Sequence, residues 1–136
     1  MSIDSAEMLN RTYQFSLRVL KLCAELHGSY EEMTLGAQLF RSATAVATRY
    51  RSAQLAQSHD DFYRKMKICE EEADETCCWL DMLMESHMVK PSRLHALAKE
   101  AHEIAAIVGA SCITLAKRKS SSNKNPLPYN KPRIRR

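Results

Sequence analysis

Apolar residues recur along this chain at alternating steps of three and four, in four separate stretches. The first stretch gives Met8, Thr12, Phe15, Val19, Leu22 and Leu26, and the second Met33, Gly36, Phe40, Ala43, Ala47 and Tyr50. The third gives Phe62, Met66, Cys69, Ala73, Thr76, Leu80 and Leu83, and the fourth Leu94, Leu97, Ala101, Ile104, Val108, Ser111 and Leu115. A mean step near 3.5 residues keeps one stripe of an α-helix facing a left-handed supercoiled core. The expected fold is all-α: an antiparallel up-down left-handed four-helix bundle, about 33 to 42 Å long at a rise of about 1.5 Å per residue.

Polar residues at the ends of each stretch place the helix limits. Asp4-Ser5-Ala6-Glu7 and Ser29-Tyr30-Glu31-Glu32 read as capping boxes, in which a side-chain oxygen and a Glu three residues on satisfy the first free amides. They predict a first helix reaching His27-Gly28 and a second reaching about Gln57. Ser58 followed by Asp60 and Asp61 opens a third helix with acids at its positive end. That helix is expected to stop near Met88, because Pro91 disfavours helical geometry at Lys90. Ser92 is the expected cap of a fourth helix ending near Lys119. Connections this short make neighbouring helices antiparallel. Gly36, Ala43 and Ala47 are small enough to let a neighbouring helix approach closely.

More apolar surface is present than one stripe per helix needs. Leu9, Leu20 and Cys23 flank the first seam, Leu35, Leu39 and Val46 the second, and Cys78, Trp79 and Met82 the third. Either the core face is wide, or part of this surface is covered by another subunit. Trp79 is the candidate aromatic anchor.

The chain carries 20 Lys and Arg against 16 Asp and Glu, a net charge of +4. That sum hides a division. Residues 117–136 hold Lys117, Arg118, Lys119, Lys124, Lys131, Arg133, Arg135 and Arg136 with no acid, so the remaining twelve cations face all 16 acids and residues 1–116 stand at −4. Three serines, three prolines and almost no apolar side chain make residues 120–136 too polar to offset their ordering entropy. The expected organisation is a bundle domain over 1–119 and a disordered basic tail over 120–136.

Candidate chemistry is sparse. Three isolated glycines cannot build a glycine-rich phosphate loop. Five cysteines without CxxC spacing suggest reduced thiols, and neither a zinc site nor a disulfide framework. There is no Glu-x-x-His pair of the kind that builds di-iron sites in bundles. No cofactor, metal or enzymatic activity is expected. With no membrane span and no signal segment, the expected location is the cytoplasm.

Charge patterning is more informative. The run Glu70-Glu71-Glu72-Ala73-Asp74-Glu75 sets like charges at i, i+4 on a helix. It is either a solvated acidic face or one half of an ion-pair set with Arg41, Arg49 and Arg51 of helix two. An Arg paired with Glu72 or Glu75, within the chain or across a subunit interface, would gain from bidentate geometry.

The segments RTYQFSLRVLKL (11–22), QLFRSATAVATRYRSAQLAQSHDDF (38–62), KMKICEEEADETCCWLDML (65–83) and EAHEIAAIVGAS (100–111) resemble a known family. It is the four-helix bundle family of proteins encoded in intervening sequences of bacterial 23S rRNA genes, which also includes accessory variability proteins of diversity-generating retroelements. The most specific matches are Glu72, Ala73, Glu75, Thr76, Trp79 and Leu80 in one run, and Tyr50, Arg51 and Ala53 in another. Arg49 and Ser52 depart from the Asn and Glu common in the family. The resemblance implies a homo-oligomer, a pentamer of bundles, with basic surface for nucleic acid and, in retroelement members, a reverse transcriptase as partner.

These readings give two functional expectations. One is RNA or DNA binding by Arg41, Arg49, Arg51 and the eight cations of residues 117–136, sensitive to salt and indifferent to sequence. The other is an oligomeric scaffold that docks a protein without binding nucleic acid. Glu72, Glu75, Trp79 and Tyr50 are the expected interface or inter-helix residues.

Overall fold

A computed structural model of the chain describes residues 4–122, the last four by their helical backbone alone. Four helices follow one another: α1 (Ser5–Ala24), α2 (Tyr30–Ala53), α3 (His59–Glu85) and α4 (His95–Ser122). Each packs on its neighbours in the ring and none across the diagonal, which makes a four-helix bundle. The seam between α1 and α4 is the least extensive of the four.

Three of the expected starts form as the residue types dictate. Asp4 accepts from the Glu7 amide at 2.8 Å, Ser29 from Glu32 at 3.2 Å and Ser58 from Asp61 at 3.1 Å. The fourth does not. Pro91–Arg93 form a short 3₁₀ turn with no side-chain cap, and α4 begins at His95, so Ser92 is not its cap. The first three helices also end about three or four residues before their expected stops. Backbone amides of Glu25, Gln54 and Ser86 turn back onto the last carbonyls instead of continuing the ladder. Beyond Ser86, His87 takes a positive φ of 59°, which bends the chain out of α3. At the other limit α4 runs through Ser122, past the expected end at Lys119. The expected tail from residue 123 onward lies outside the described residues.

Three of the four expected stripes line the core, Phe62 and Ser111 half-buried among them. Helix two differs. Met33 and Phe40 are 48% and 38% exposed and Ala47 is half-buried, whereas Leu39 and Val46 of the flanking stripe are buried. Polar side chains cause the rotation. Ser42 is fully buried, donating to the Leu39 carbonyl oxygen at 3.2 Å and accepting from the Thr76 hydroxyl at 2.9 Å. A hydroxyl pair satisfied in this way sits in the core without penalty, although its pattern reads as surface. Ser16 likewise donates to the Ala43 carbonyl oxygen at 2.9 Å. Gly36 makes room for the connection between α1 and α2: a Cβ there would stand 2.7 Å from Leu26 Cδ1.

Ion pairs staple the open seam. Arg11 of α1 reaches Glu100 and Glu103 of α4, both at 2.6 Å, and Arg93 reaches Glu25 at 3.1 Å. The Arg11 pairs set the relative level of the two helices. Counting back from Arg11 along the antiparallel α4, Ser5 comes level with roughly residue 108, and α4 continues about 20 Å beyond it. One corner of the bundle is therefore vacated by α1 before α4 ends.

Candidate nucleic-acid interface

Because the helices alternate in direction, α2 and α4 both finish at the end of the bundle where α1 and α3 begin. This topology gathers Arg49 and Arg51 near the end of α2 with Lys117 and Arg118 near the end of α4. Cations there complement the negative ends of both helices. None of these four has an acidic partner among the described residues. The backbone of Lys119 belongs to the same turn of α4. Lys124, Lys131, Arg133, Arg135 and Arg136 lie outside the described residues, on the chain that leaves α4 at this end.

The helix-two arginines do not form one patch. Arg49 and Arg51 are two residues apart, about 200° around the helix, so they leave α2 on nearly opposite sides. Arg41 lies more than two turns away, toward the middle of α2, and its charge is engaged. It bonds to Glu75, to Glu72 at 3.3 Å, and to the Gln38 side chain at 3.2 Å. The Trp79 indole N–H donates to the same Glu75 at 3.2 Å. Glu72, Glu75 and Trp79 thus fasten α2 to α3 within one chain. The hydrogen bond to Glu75 leads the influences that hold the Arg41 pKa above its ordinary value. Tyr50 lies in the bundle's own interior, and burial pushes its phenol up to about 12.

Other cations at this end are neutralised. Asp61 binds Arg64 at 2.6 Å and Lys65 at 3.2 Å and accepts from the Gln57 amide at 3.2 Å. The Gln57 amide first, then Lys65, holds the Asp61 carboxyl below its ordinary range. Lys67 is paired with Glu70 at 2.6 Å.

The vacated corner is a cavity of about 490 Å³. Its walls are apolar, from Met8, Phe62, Met66 and Leu115, and Arg118 is part of its lining. Gln54 lines it with its side-chain Oε1 buried and without a hydrogen-bond partner. Sequence reasoning missed this feature. The apolar pattern shows which faces are buried, while the cavity arises from where the helices end relative to one another. The Arg11 staple was also missed, although Glu100 and Glu103 at i, i+3 were a visible acidic pair.

A second exposed feature lies along α1 and α2. Leu20, Met33, Ala37 and Phe40 line a shallow apolar groove, with Tyr13 and Leu17 exposed nearby on α1. It includes part of the stripe expected to be core on helix two.

Burial raises the thiols of Cys69, Cys77 and Cys112, the first to about 12 and the others to about 11. They stay protonated at neutral pH, a state in which sulfur is a poor nucleophile. Among the described residues no three His, Cys, Asp or Glu converge as metal ligands, and no helix is long and apolar enough to cross a membrane.

Comparison with known proteins places this architecture. A crystal structure of a protein of unknown function from the S23 ribosomal protein family of Bacteroides thetaiotaomicron VPI-5482 is 24% identical, with a TM-score of 0.73. The match covers 81% of this chain and 98% of that one, a likeness of fold. None of the curated proteins matches the chain. The family model described as 23S rRNA-intervening sequence protein matches residues 4–110, a span that takes in α1 to α3 and more than half of α4 but stops short of Lys117 and Arg118. With so much of the chain matched and the four-helix bundle in place, the chain belongs to the 23S rRNA-intervening sequence protein family.

Proposed function

We propose that this protein is a non-enzymatic, self-associating bundle of the cytoplasm that holds RNA or DNA electrostatically at its basic end. The observation that carries the reading is that Arg49, Arg51, Lys117 and Arg118, without acidic partners among the described residues, all lie at the end of the bundle where α2 and α4 finish. Arg11, Arg41 and Arg93 are ion-paired elsewhere in the bundle, and Arg64, Lys65 and Lys67 are ion-paired at this end. Phosphates neutralised by these cations release condensed counterions, so affinity falls steeply with salt and carries little sequence preference. The exposed groove of Leu20, Met33 and Phe40 supports self-association, as a pentamer if the family resemblance extends to assembly.

The same groove favours a second reading, an oligomeric scaffold that docks a protein, such as a reverse transcriptase, and binds no nucleic acid. One experiment separates the two. Retardation of single-stranded and duplex RNA and DNA is measured against salt for the full chain and for a chain lacking residues 120–136, with mass by light scattering. Salt-sensitive binding that weakens on truncation supports nucleic-acid binding. A defined oligomer that retards no nucleic acid at low salt supports the scaffold. Replacing Phe40 by Glu lowers the measured mass if the groove is where subunits meet.

A further inference from the structure

The cavity at the basic end is the feature that electrostatic binding leaves unused. We infer that it takes a single unpaired nucleobase, whose attached phosphate is held at the rim by Arg118. The inference deepens the nucleic-acid reading and rests on it.

Three observations point to this ligand. First, a volume of about 490 Å³ falls within the range of small-molecule sites, about 300 to 1,000 Å³, and its mainly apolar walls with a few polar groups suit a flat heterocycle. Phe62 and Tyr50 supply aromatic surface, on which bases stack whatever their sequence. Second, Gln54 lines the cavity and its Oε1 lacks a donor; the oxygen is buried against the protein, so the side-chain amide turns toward the cavity when a ligand donates to it. Gln54 is 1% exposed, its Nε2 donates to the Tyr50 carbonyl oxygen at 3.2 Å, and its Oε1 is left without a partner. A buried carbonyl oxygen in that state is destabilising until something donates to it. Nucleobases carry N–H donors on the edge opposite the sugar. Third, the lining includes Arg118, a cation with no acidic partner among the described residues. A guanidinium holds phosphate oxygens in bidentate geometry. Apolar face, edge donor and phosphate together describe a nucleotide better than they describe a fatty acid or an uncharged metabolite, which would leave either Oε1 or Arg118 unmatched.

Base and phosphate can come from a strand or from a free nucleotide, and the test separates these sources. Fluorescent ten-residue single-stranded RNAs of mixed sequence are compared with oligomers of equal charge in which the bases are absent. The full chain is expected to bind the base-bearing oligomer about tenfold or more tightly at equal salt. Thr114→Phe, a change at an exposed position that fills the cavity mouth, is expected to bring that ratio to about one. Gln54→Leu is expected to lower it severalfold, with helix content and melting checked by circular dichroism for both variants. In a parallel arm, the Gln54 side-chain amide resonances are followed during titration with adenosine monophosphate or ribose 5-phosphate.

Equal, salt-sensitive affinity for base-bearing and abasic oligomers overturns the inference and leaves electrostatic binding standing. Binding to neither oligomer overturns the nucleic-acid reading. In that event a Gln54 shift with adenosine monophosphate but not with ribose 5-phosphate keeps the cavity as a free-nucleotide site, and no shift overturns it as well.

Discussion

At the end where α1 turns into α2 and α3 into α4, Leu26, Leu83, Val89 and Leu94 are buried together and Arg93 crosses to Glu25 on the outside. At the other end α1 stops early, half-buried Phe62 lines a cavity, and Gln54 keeps an unsatisfied oxygen. Cations without an acidic partner among the described residues stand at both ends, Lys21 and Lys90 at the closed one and Arg49, Arg51, Lys117 and Arg118 at the open one, where they are more numerous. Closure is what stability alone favours. An open corner with an unmatched buried acceptor raises the free energy of the isolated chain, and a ligand that supplies the missing donor lowers it again.

The largest expected contrast is in packing. Leu83→Ala at the closed end removes a fully buried side chain, and should cost about 3 kcal/mol in urea unfolding. Phe62→Ala, from a half-buried wall of the cavity, should cost about half as much although the side chain is larger. Equal losses would erase the distinction between the two ends.

Next in size is the orphaned acceptor. Gln54→Leu removes the buried Oε1 at similar volume and gives up one hydrogen bond to a carbonyl that the Gln54 backbone amide also reaches. Stability should stay within about 1 kcal/mol of the parent, in either direction. A loss as large as that of Leu83→Ala would mean that Gln54 is part of a tightly packed core.

The smallest effect on stability concerns Asp61, and its direction with pH is fixed. Its carboxyl is held below the ordinary range by the Gln57 amide and then by Lys65. Its stabilisation is therefore complete above the unfolded carboxylate pKa and is lost as pH falls through the lower folded value. Asp61→Asn should lower the melting temperature near pH 7, with the gap to the parent closing in strong acid. Because Asp61 also neutralises Arg64 and Lys65, the same variant should bind single-stranded RNA more tightly at low salt. Weaker binding would show that the free cations of this end are not additive.

Much of the bundle was legible because caps and periodicity are local. Asp4, Ser29 and Ser58 cap the helices that their side chains predict, and the α3 and α4 stripes face inward. The α2 face was legible only in part: Gly36, Ala43 and Tyr50 are buried as expected, but Met33 and Phe40 are not, because Ser42 and Thr76 satisfy each other inside the core and so disguise the buried side as polar. Ser92 looked like a cap, but Pro91 drew the turn into 3₁₀ geometry first. For the candidate site, the pairing of Arg41 with Glu72 and Glu75 was visible in their charges, and Lys117 and Arg118 in their position at a helix end. The cavity depends on the level at which Arg11 meets Glu100 and Glu103, a relation between distant segments that no single stretch of sequence contains.

The most direct measurement is the salt dependence of single-stranded RNA affinity for the full chain and for a variant with Arg49, Arg51, Lys117 and Arg118 all changed to Gln. If these four side chains neutralise phosphates, the slope of log affinity against log salt should become shallower by about 3, at about 0.7 for each phosphate no longer neutralised. An unchanged slope would contradict the assignment of nucleic-acid binding to this end of the bundle.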